Sequence, residues 1–235
     1  MKLLIFVLAV IGNSLGVQFN IINYHGGPIN VGIQGNSGKA HLAGGGFTLN
    51  QGASRFVDAP NDWAGRFWAR TWCVNGNHCE TGDCGNIIEC NGNGGAPPAT
   101  LVEINLRAHA GQDFYDISLV DGFNSKALIR PVNGNGQCPT LQCKSDLNSN
   151  CPNELRLNYN GQTIGCKSAC LLRNEPQYCC TGEFGPDRCN PNNWPENINS
   201  AKYFKANCPQ AYSYAYDDRS SLFTCVADTY EVEFG

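Results

Sequence analysis

The 235-residue chain lacks the positive charge that a nucleic-acid partner demands: 16 Lys and Arg stand against 20 Asp and Glu, for a formal net charge of −4. That balance argues against a polyphosphate partner. It has no Cys-x-x-Cys pair, and its four histidines (His25, His41, His78 and His109) are scattered. Neither arrangement resembles a zinc site, so no metal and no cofactor is expected. There is no Asn-x-Ser/Thr sequon, so N-glycosylation is not expected. A basic amphipathic stretch is missing as well, which weakens any reading as a charge-driven membrane permeabiliser. No apolar run is long enough to span a bilayer, so integral membrane association is not expected. Long helical periodicity, internal repeats and low-complexity tracts are also absent.

What is present begins with Met1-Lys2, an apolar run over residues 3–11 and the small-x-small triplet Ser14-Leu15-Gly16. This pattern reads as a secretory signal peptide cleaved after Gly16, hence an extracellular protein beginning at Val17. Fourteen cysteines, an even number, fit a disulfide framework in an exported chain. With 27 Gly and 12 Pro, the composition favours short strands joined by turns.

Residues 17–23 and 29–34 are β-rich runs split by His25-Gly26-Gly27-Pro28, the pattern of an opening hairpin. Further strands are expected at residues 47–50, 54–58 and 128–132. In residues 66–72, Arg66, Trp68 and Arg70 share one face, either as surface arginines whose stems cover the indole or with one of them supporting carboxylates. Residues 73–90 hold four cysteines and little apolar content, so they must be stapled. From Cys138 to Cys208 nine cysteines accompany many Asn and Pro, which suggests a lobe of loops with a helical turn at 201–207. Residues 212–216 and 223–234 return to strand character.

The stretch TLVEINLRAHAGQDFYDISLVDG over residues 100–122 organises the functional reading. Val102, Ile104 and Leu106 fall on one face, and Glu103, Asn105 and Arg107 on the other. Beyond the connection, Ile117 and Leu119 point inward, and Asp116 and Ser118 outward. A hairpin centred near Ala110-Gly111 makes Glu103 and Asp116 diagonal neighbours, roughly 7–8 Å apart. Asp121 closes the second strand at an Asp-Gly turn that can fold back to the same side. An isolated acidic pair of this kind is usually a solvated sheet face.

CETGDCGNIIEC at residues 79–90 resembles the signature of the thaumatin-like (pathogenesis-related group 5) family. Further similarity lies in FWART (67–71), PPATLVEINL (97–106), DFYDISLVDGFN (113–124), EPQYCC (175–180) and KYFKANCPQAYSYAYDD (202–218). The resemblance implies a mainly β fold: a flattened β-sandwich (residues 17–70, 98–144 and 208–235), a small stapled loop region (71–97) and a disulfide-rich lobe (145–207). It implies the pairs Cys73–Cys79, Cys84–Cys90, Cys138–Cys225, Cys143–Cys208, Cys151–Cys166, Cys170–Cys179 and Cys180–Cys189. Larger members have an eighth disulfide tying the two ends of the chain; both partners are missing here, and the terminal strands are therefore expected to fray.

The family's acidic cleft implies five positions: Arg66, Glu103, Asp116, Asp121 and Asp217, the last taken as the first of two adjacent aspartates. Phe114, Tyr115, Tyr203 and Tyr216 are candidates to line that cleft, with Phe123 and Phe204 assigned to core packing. Family members bind β-1,3-glucan, many inhibit fungi, and some hydrolyse the glucan weakly. The leading expectation is a monomeric, secreted defence protein that recognises β-1,3-glucan or another fungal wall polysaccharide. The alternatives are an endo-β-1,3-glucanase with Glu103 as acid and Asp121 or Asp116 as partner, and a structural or inhibitor module without a glycan role.

Overall fold

The computed structural model describes residues 16–74 and 76–235, so the expected leader lies, apart from Gly16, outside the described residues. The strands in chain order are β1 (Val17–Asn23), β2 (Ile29–Gly35), β3 (Gly46–Leu49), β4 (Ser54–Ala59), β5 (Ala64–Val74), β6 (His78–Thr81) and β7 (Leu101–Asn105). They continue as β8 (Asp113–Ser118), β9 (Ala127–Val132), β10 (Leu141–Cys143), β11 (Arg156–Tyr159), β12 (Gln162–Cys166), β13 (Phe223–Cys225) and β14 (Thr229–Phe234). Four short helices fall between β12 and β13: α1 (Ala169–Arg173), α2 (Pro176–Cys179), α3 (Ser200–Asn207) and α4 (Asp218–Ser221).

The protein is mainly β. One sheet runs β10-β9-β14-β1-β4; the other runs β13-β8-β7-β5-β2-β3, with β6 hung on β5. Period-two alternation sends one face of each sheet into a shared core. Phe19 and Ile21 from one sheet meet Phe67, Val102 and Ile117 from the other, all fully buried. Phe19 anchors it, its ring 4.8 Å from Phe67, 5.6 Å from Trp63 and 6.0 Å from Tyr230.

The opening hairpin expected from β1 and β2 does not form, because the two strands belong to opposite sheets. β1 lies between β14 and β4, while β2 lies between β5 and β3. Asn23 controls the crossing, donating to Gly27 O and Leu49 O at 2.9 Å and accepting from His25 N at 2.8 Å. The first and last strands are also not peripheral. β1 pairs in parallel with β14, and both are interior strands. Tyr24 N donates to Phe234 O at 2.7 Å, and a Cβ at Gly235 would fall 2.0 Å from His25 N. Only glycine permits that approach.

Residues 212–216 are not a strand. Tyr212 alone bridges to Ser118, and the chain then turns into α4. The 223–234 run is divided between β13 and β14, where buried Asp113 draws in Ala227 N, the Tyr230 hydroxyl and Arg107.

Disulfides hold what the core cannot. Cys138–Cys225 and Cys143–Cys208 join the loops to the sheets, while Cys151–Cys166, Cys170–Cys179 and Cys180–Cys189 brace the lobe. Cys73–Cys79 and Cys84–Cys90 staple the small loop region. The expectation of a surface arginine fails at Arg70, which is fully buried. Its guanidinium donates to Asn30 O, Val31 O, Ile87 O and Ile88 O at 2.5–3.3 Å, clamping the stapled loop onto β2. Burial pushes its pKa down to about 10.

Candidate functional site

Strand register builds the site. Gln34 of β2 pairs with Arg66 of β5, Arg66 with Glu103 of β7, and Glu103 with Asp116 of β8. The four residues form one row across the sheet. Neighbours Val102, Ile104 and Ile117 fill the core, so the row stands on the opposite face. Glu103 and Asp116 are thus direct cross-strand partners rather than diagonal ones. The connection is tighter than its sequence suggests: Arg107 and Ala110 adopt positive φ, and Asp113 Oδ1 accepts the Arg107 backbone N–H at 2.8 Å. That shifts the centre of the hairpin and brings the acids together.

Arg66 Nε lies 3.5 Å from Glu103 Oε1. Asp121 follows β8 at a tight turn whose next residue, Gly122, has φ +91 and would bring a Cβ within 2.7 Å of Cys166 O. Asp218 opens α4 and accepts the Tyr212 hydroxyl at 2.9 Å. Glu103, Asp116, Phe114, Tyr212, Asp218 and Leu222 are among the walls of a cleft of about 430 Å³.

Burial works against ionisation of the acids. Burial, then the Glu103 charge, raises the Asp116 pKa well above its ordinary value; Arg66 opposes this and Asp218 adds to it. Asp116 Oδ1 is buried without a hydrogen-bond partner. Burial raises Glu103 too, opposed by Arg66 and reinforced by Asp121. Asp121 is raised by burial and held back by Arg66. The Tyr212 phenol is raised by burial, by its bond to Asp218 and by the surrounding carboxylates. One cation thus faces several acids, and such a site favours protonation or hydroxyl donors from a ligand.

Arg66, Glu103, Asp116 and Asp121 come together, and Phe114 lines the cleft. Other expected residues do not. Asp217 is turned away, accepting from Ser213 N at 3.0 Å and Ser213 Oγ at 2.7 Å and pairing with Lys205 Nζ at 2.7 Å. Asp218 takes the place expected of it. Tyr115 is fully buried, its ring on Tyr230 and its hydroxyl on Pro139 O at 2.6 Å. It shares the core face with Ile117, two residues on. Tyr203 packs on Phe204 and donates to Leu147 O at 2.9 Å, and Tyr216 donates to Cys180 O at 3.4 Å; both brace the lobe rather than the cleft. Phe123 and Phe204 are core residues. Sequence reasoning missed Tyr212 and Leu222, which carry no periodic signal. Among the described residues no group of three or more His, Cys, Asp or Glu could hold a metal, and no helix is long and apolar enough to cross a membrane.

Similar proteins share this frame. Thaumatin-like protein 1 of Pyrus pyrifolia is 49% identical over 84% of this chain and 82% of its own length. Pathogenesis-related protein 5 of Arabidopsis thaliana is 50% identical over 82% of this chain and 80% of its own. Among solved structures, a laminaripentaose-producing β-1,3-glucanase in complex with laminaritetraose superposes with a TM-score of 0.63 at 10% identity, covering 92% of this chain and 98% of the other. A second such glucanase, from Paenibacillus barengoltzii, complexed with laminarihexaose, gives 0.59 at 14%, covering 98% of this chain and 79% of the other. At those identities the likeness is one of fold alone. The thaumatin family model matches residues 23–235, and the chain belongs to the thaumatin family.

Proposed function

We propose that this is a secreted host-defence protein whose acidic trough receives a β-1,3-glucan chain of a fungal wall. The row Arg66–Glu103–Asp116, closed by Asp121 and Asp218, carries the reading. Carboxylates accept hydrogen bonds from sugar hydroxyls, and Asp116 Oδ1 still has that capacity free. Phe114, Tyr212 and Leu222 supply apolar surface for the faces of pyranose rings. A neutral polyol suits acids that burial already drives towards protonation; an anionic chain would meet repulsion. The defence role is supported by the family relative named pathogenesis-related protein 5.

One observation favours a second reading as a weak endo-β-1,3-glucanase. Two opposed carboxyls, both raised by burial, allow one to stay protonated as acid while its partner is ionised, as retaining or inverting hydrolysis requires. With Asp121 as the ionised partner Glu103 would be the acid, whereas in the opposed pair Asp116 is raised further and would be the acid with Glu103 as its partner, the reverse of the roles expected from the sequence. Incubation with insoluble β-1,3-glucan separates the readings, scoring pull-down and released reducing sugar for the wild type and Glu103→Gln. Binding without release supports recognition alone. Release abolished by the substitution supports the enzyme. Failure to bind at all removes the glucan assignment.

A further inference from the structure

A second cavity lies away from the trough, at the end of the sandwich where β1 and β14 finish. Its volume is about 320 Å³, within the range of small-ligand sites, and its walls include Tyr24, His25, Trp72, Lys126, Asp146 and Asn148. Arg66 and Trp72 are six residues apart on β5, which at about 3.3 Å per residue separates this cavity from the acidic row by roughly 20 Å.

Three features mark it as a built site. First, it exposes aromatic surface that the fold does not need: Tyr24 is 59% and Trp72 39% exposed. The other tryptophans, Trp63, Trp68 and Trp194, are buried. Trp72 holds φ +58 inside a strand, a conformation bulky side chains rarely adopt, and Tyr159 braces its indole edge-on at 6.3 Å. Second, Asn148 Oδ1 is buried without a partner. Its amide cannot flip to correct this, because Nδ2 already donates to Asn124 O at 3.2 Å. Third, the charges balance. Lys126 and Asp146 both line the cavity, and burial, then the Lys126 charge, depresses the His25 pKa, which favours the neutral imidazole that can donate and accept.

We propose that this cavity is a second saccharide site, built to hold one pyranose ring of a neutral glycan against Trp72 and Tyr24 with a sugar hydroxyl on Asn148 Oδ1. Flat aromatic faces paired with a directional acceptor suit a ring that is apolar on its faces and hydroxylated at its rim. Balanced charge selects against anionic sugars and cationic amines. The site does not depend on the trough. With both occupied, one polysaccharide particle is gripped at two points, and its retention exceeds that of either site alone.

The test isolates the second site in a protein whose trough is disabled, Glu103→Gln with Asp116→Asn, using laminaripentaose, cellopentaose, xylopentaose and chitopentaose as probes. Binding is followed through the NMR signal of the Trp72 indole N–H, with the buried indoles as internal controls. The proposal expects at least one probe to shift Trp72 saturably in the disabled protein. Tyr24→Ala, followed on the Trp72 signal, and Trp72→Phe, which removes that reporter and is therefore followed by isothermal titration calorimetry, should each weaken that binding by about tenfold. Tyr24 is exposed enough that its removal leaves the fold intact, which an unchanged near-UV circular dichroism spectrum verifies. A Trp72 signal unmoved by every probe overturns the proposal. So does saturable binding indifferent to both substitutions. If disabling the trough leaves glucan affinity unchanged while Trp72→Phe abolishes it, the trough assignment fails and the second site stands.

Discussion

Glu103 and Asp116 stand directly opposite each other across β7 and β8, with Arg66 as the next residue in the same row. Directly opposed residues have Cβ atoms about 4.5–5.5 Å apart, where like charges repel. Arg66 offsets part of the repulsion, and what remains adds to the cost of burial and appears as raised pKa values on both carboxyls.

The sign of the resulting pH dependence follows from linkage. A carboxyl whose pKa is higher folded than unfolded contributes fully below its unfolded value, near pH 4, and that contribution is lost as pH rises through the folded value. Asp116 therefore destabilises the folded chain at pH 7 relative to acid. Asp116→Asn should raise stability at pH 7 by roughly 1–2 kcal/mol, or about 2–8 °C in Tm for a chain of this size. At about pH 4 and below the advantage should vanish. Thermal unfolding of both proteins from pH 3 to pH 8 measures it, and a gain that is the same at all pH values contradicts the linkage.

Two neighbouring aspartates should separate cleanly by effect. Asp217 is a structural acid on Ser213 and Lys205, whereas Asp218 faces the trough beside Tyr212. Asp217→Ala should cost about 1–3 kcal/mol, since it strands the Ser213 backbone N–H and hydroxyl and removes the counter-charge of Lys205, whose ammonium keeps Ala211 O and Ser221 Oγ as acceptors. Asp218→Asn should leave stability within about 0.5 kcal/mol and weaken glucan pull-down. Urea denaturation alongside the pull-down assay checks both, and a reversed pattern would return the site role to Asp217.

The residues that read correctly from sequence are those governed by local periodicity. Alternation over residues 100–122 separates Val102, Ile104 and Ile117 from Glu103 and Asp116, and the structure keeps that division. Extended back by two residues, the same alternation puts Tyr115 on the core face with Ile117, where the structure has it, rather than in the cleft role inferred from resemblance. What did not read correctly depends on distant partners. β1 and β2 carry hairpin turn signals between them, but each is captured by strands far along the chain. The placement of Asp217 and Asp218 hinges on where α4 starts, which no apolar pattern marks. Disulfide pairing came through resemblance, since cysteine spacing leaves many connectivities open.

The terminal strands offer a further test. The lack of a disulfide between the chain ends suggests fraying, but β14 sits in the middle of its sheet with β1 beside it, and Phe19, Ile21, Val232 and Phe234 are fully buried. Amides of Phe19, Ile21 and Val232 should show hydrogen-exchange protection within about tenfold of Phe67 and Val102. Exchange of β1 at the rate of exposed loops would show that sheet pairing alone does not hold it.

Arg70 concentrates the stability of the small loop region in one side chain. It is fully buried and serves four carbonyl oxygens on two segments, Asn30 and Val31 of β2 and Ile87 and Ile88 of the loop closed by Cys84–Cys90. Lysine keeps the charge but not the planar fork, so it cannot reach both segments at once. Arg70→Lys should therefore destabilise by about 3 kcal/mol or more, because a buried charge and several carbonyls lose partners together. Arg70→Met removes the charge and should still destabilise, since the carbonyls remain unpaired. Denaturation midpoints measure both, with proteolysis inside the stapled loop as a local readout. Arg70→Lys within about 0.5 kcal/mol of the wild type would mean that the disulfide, not the guanidinium, holds the loop in place.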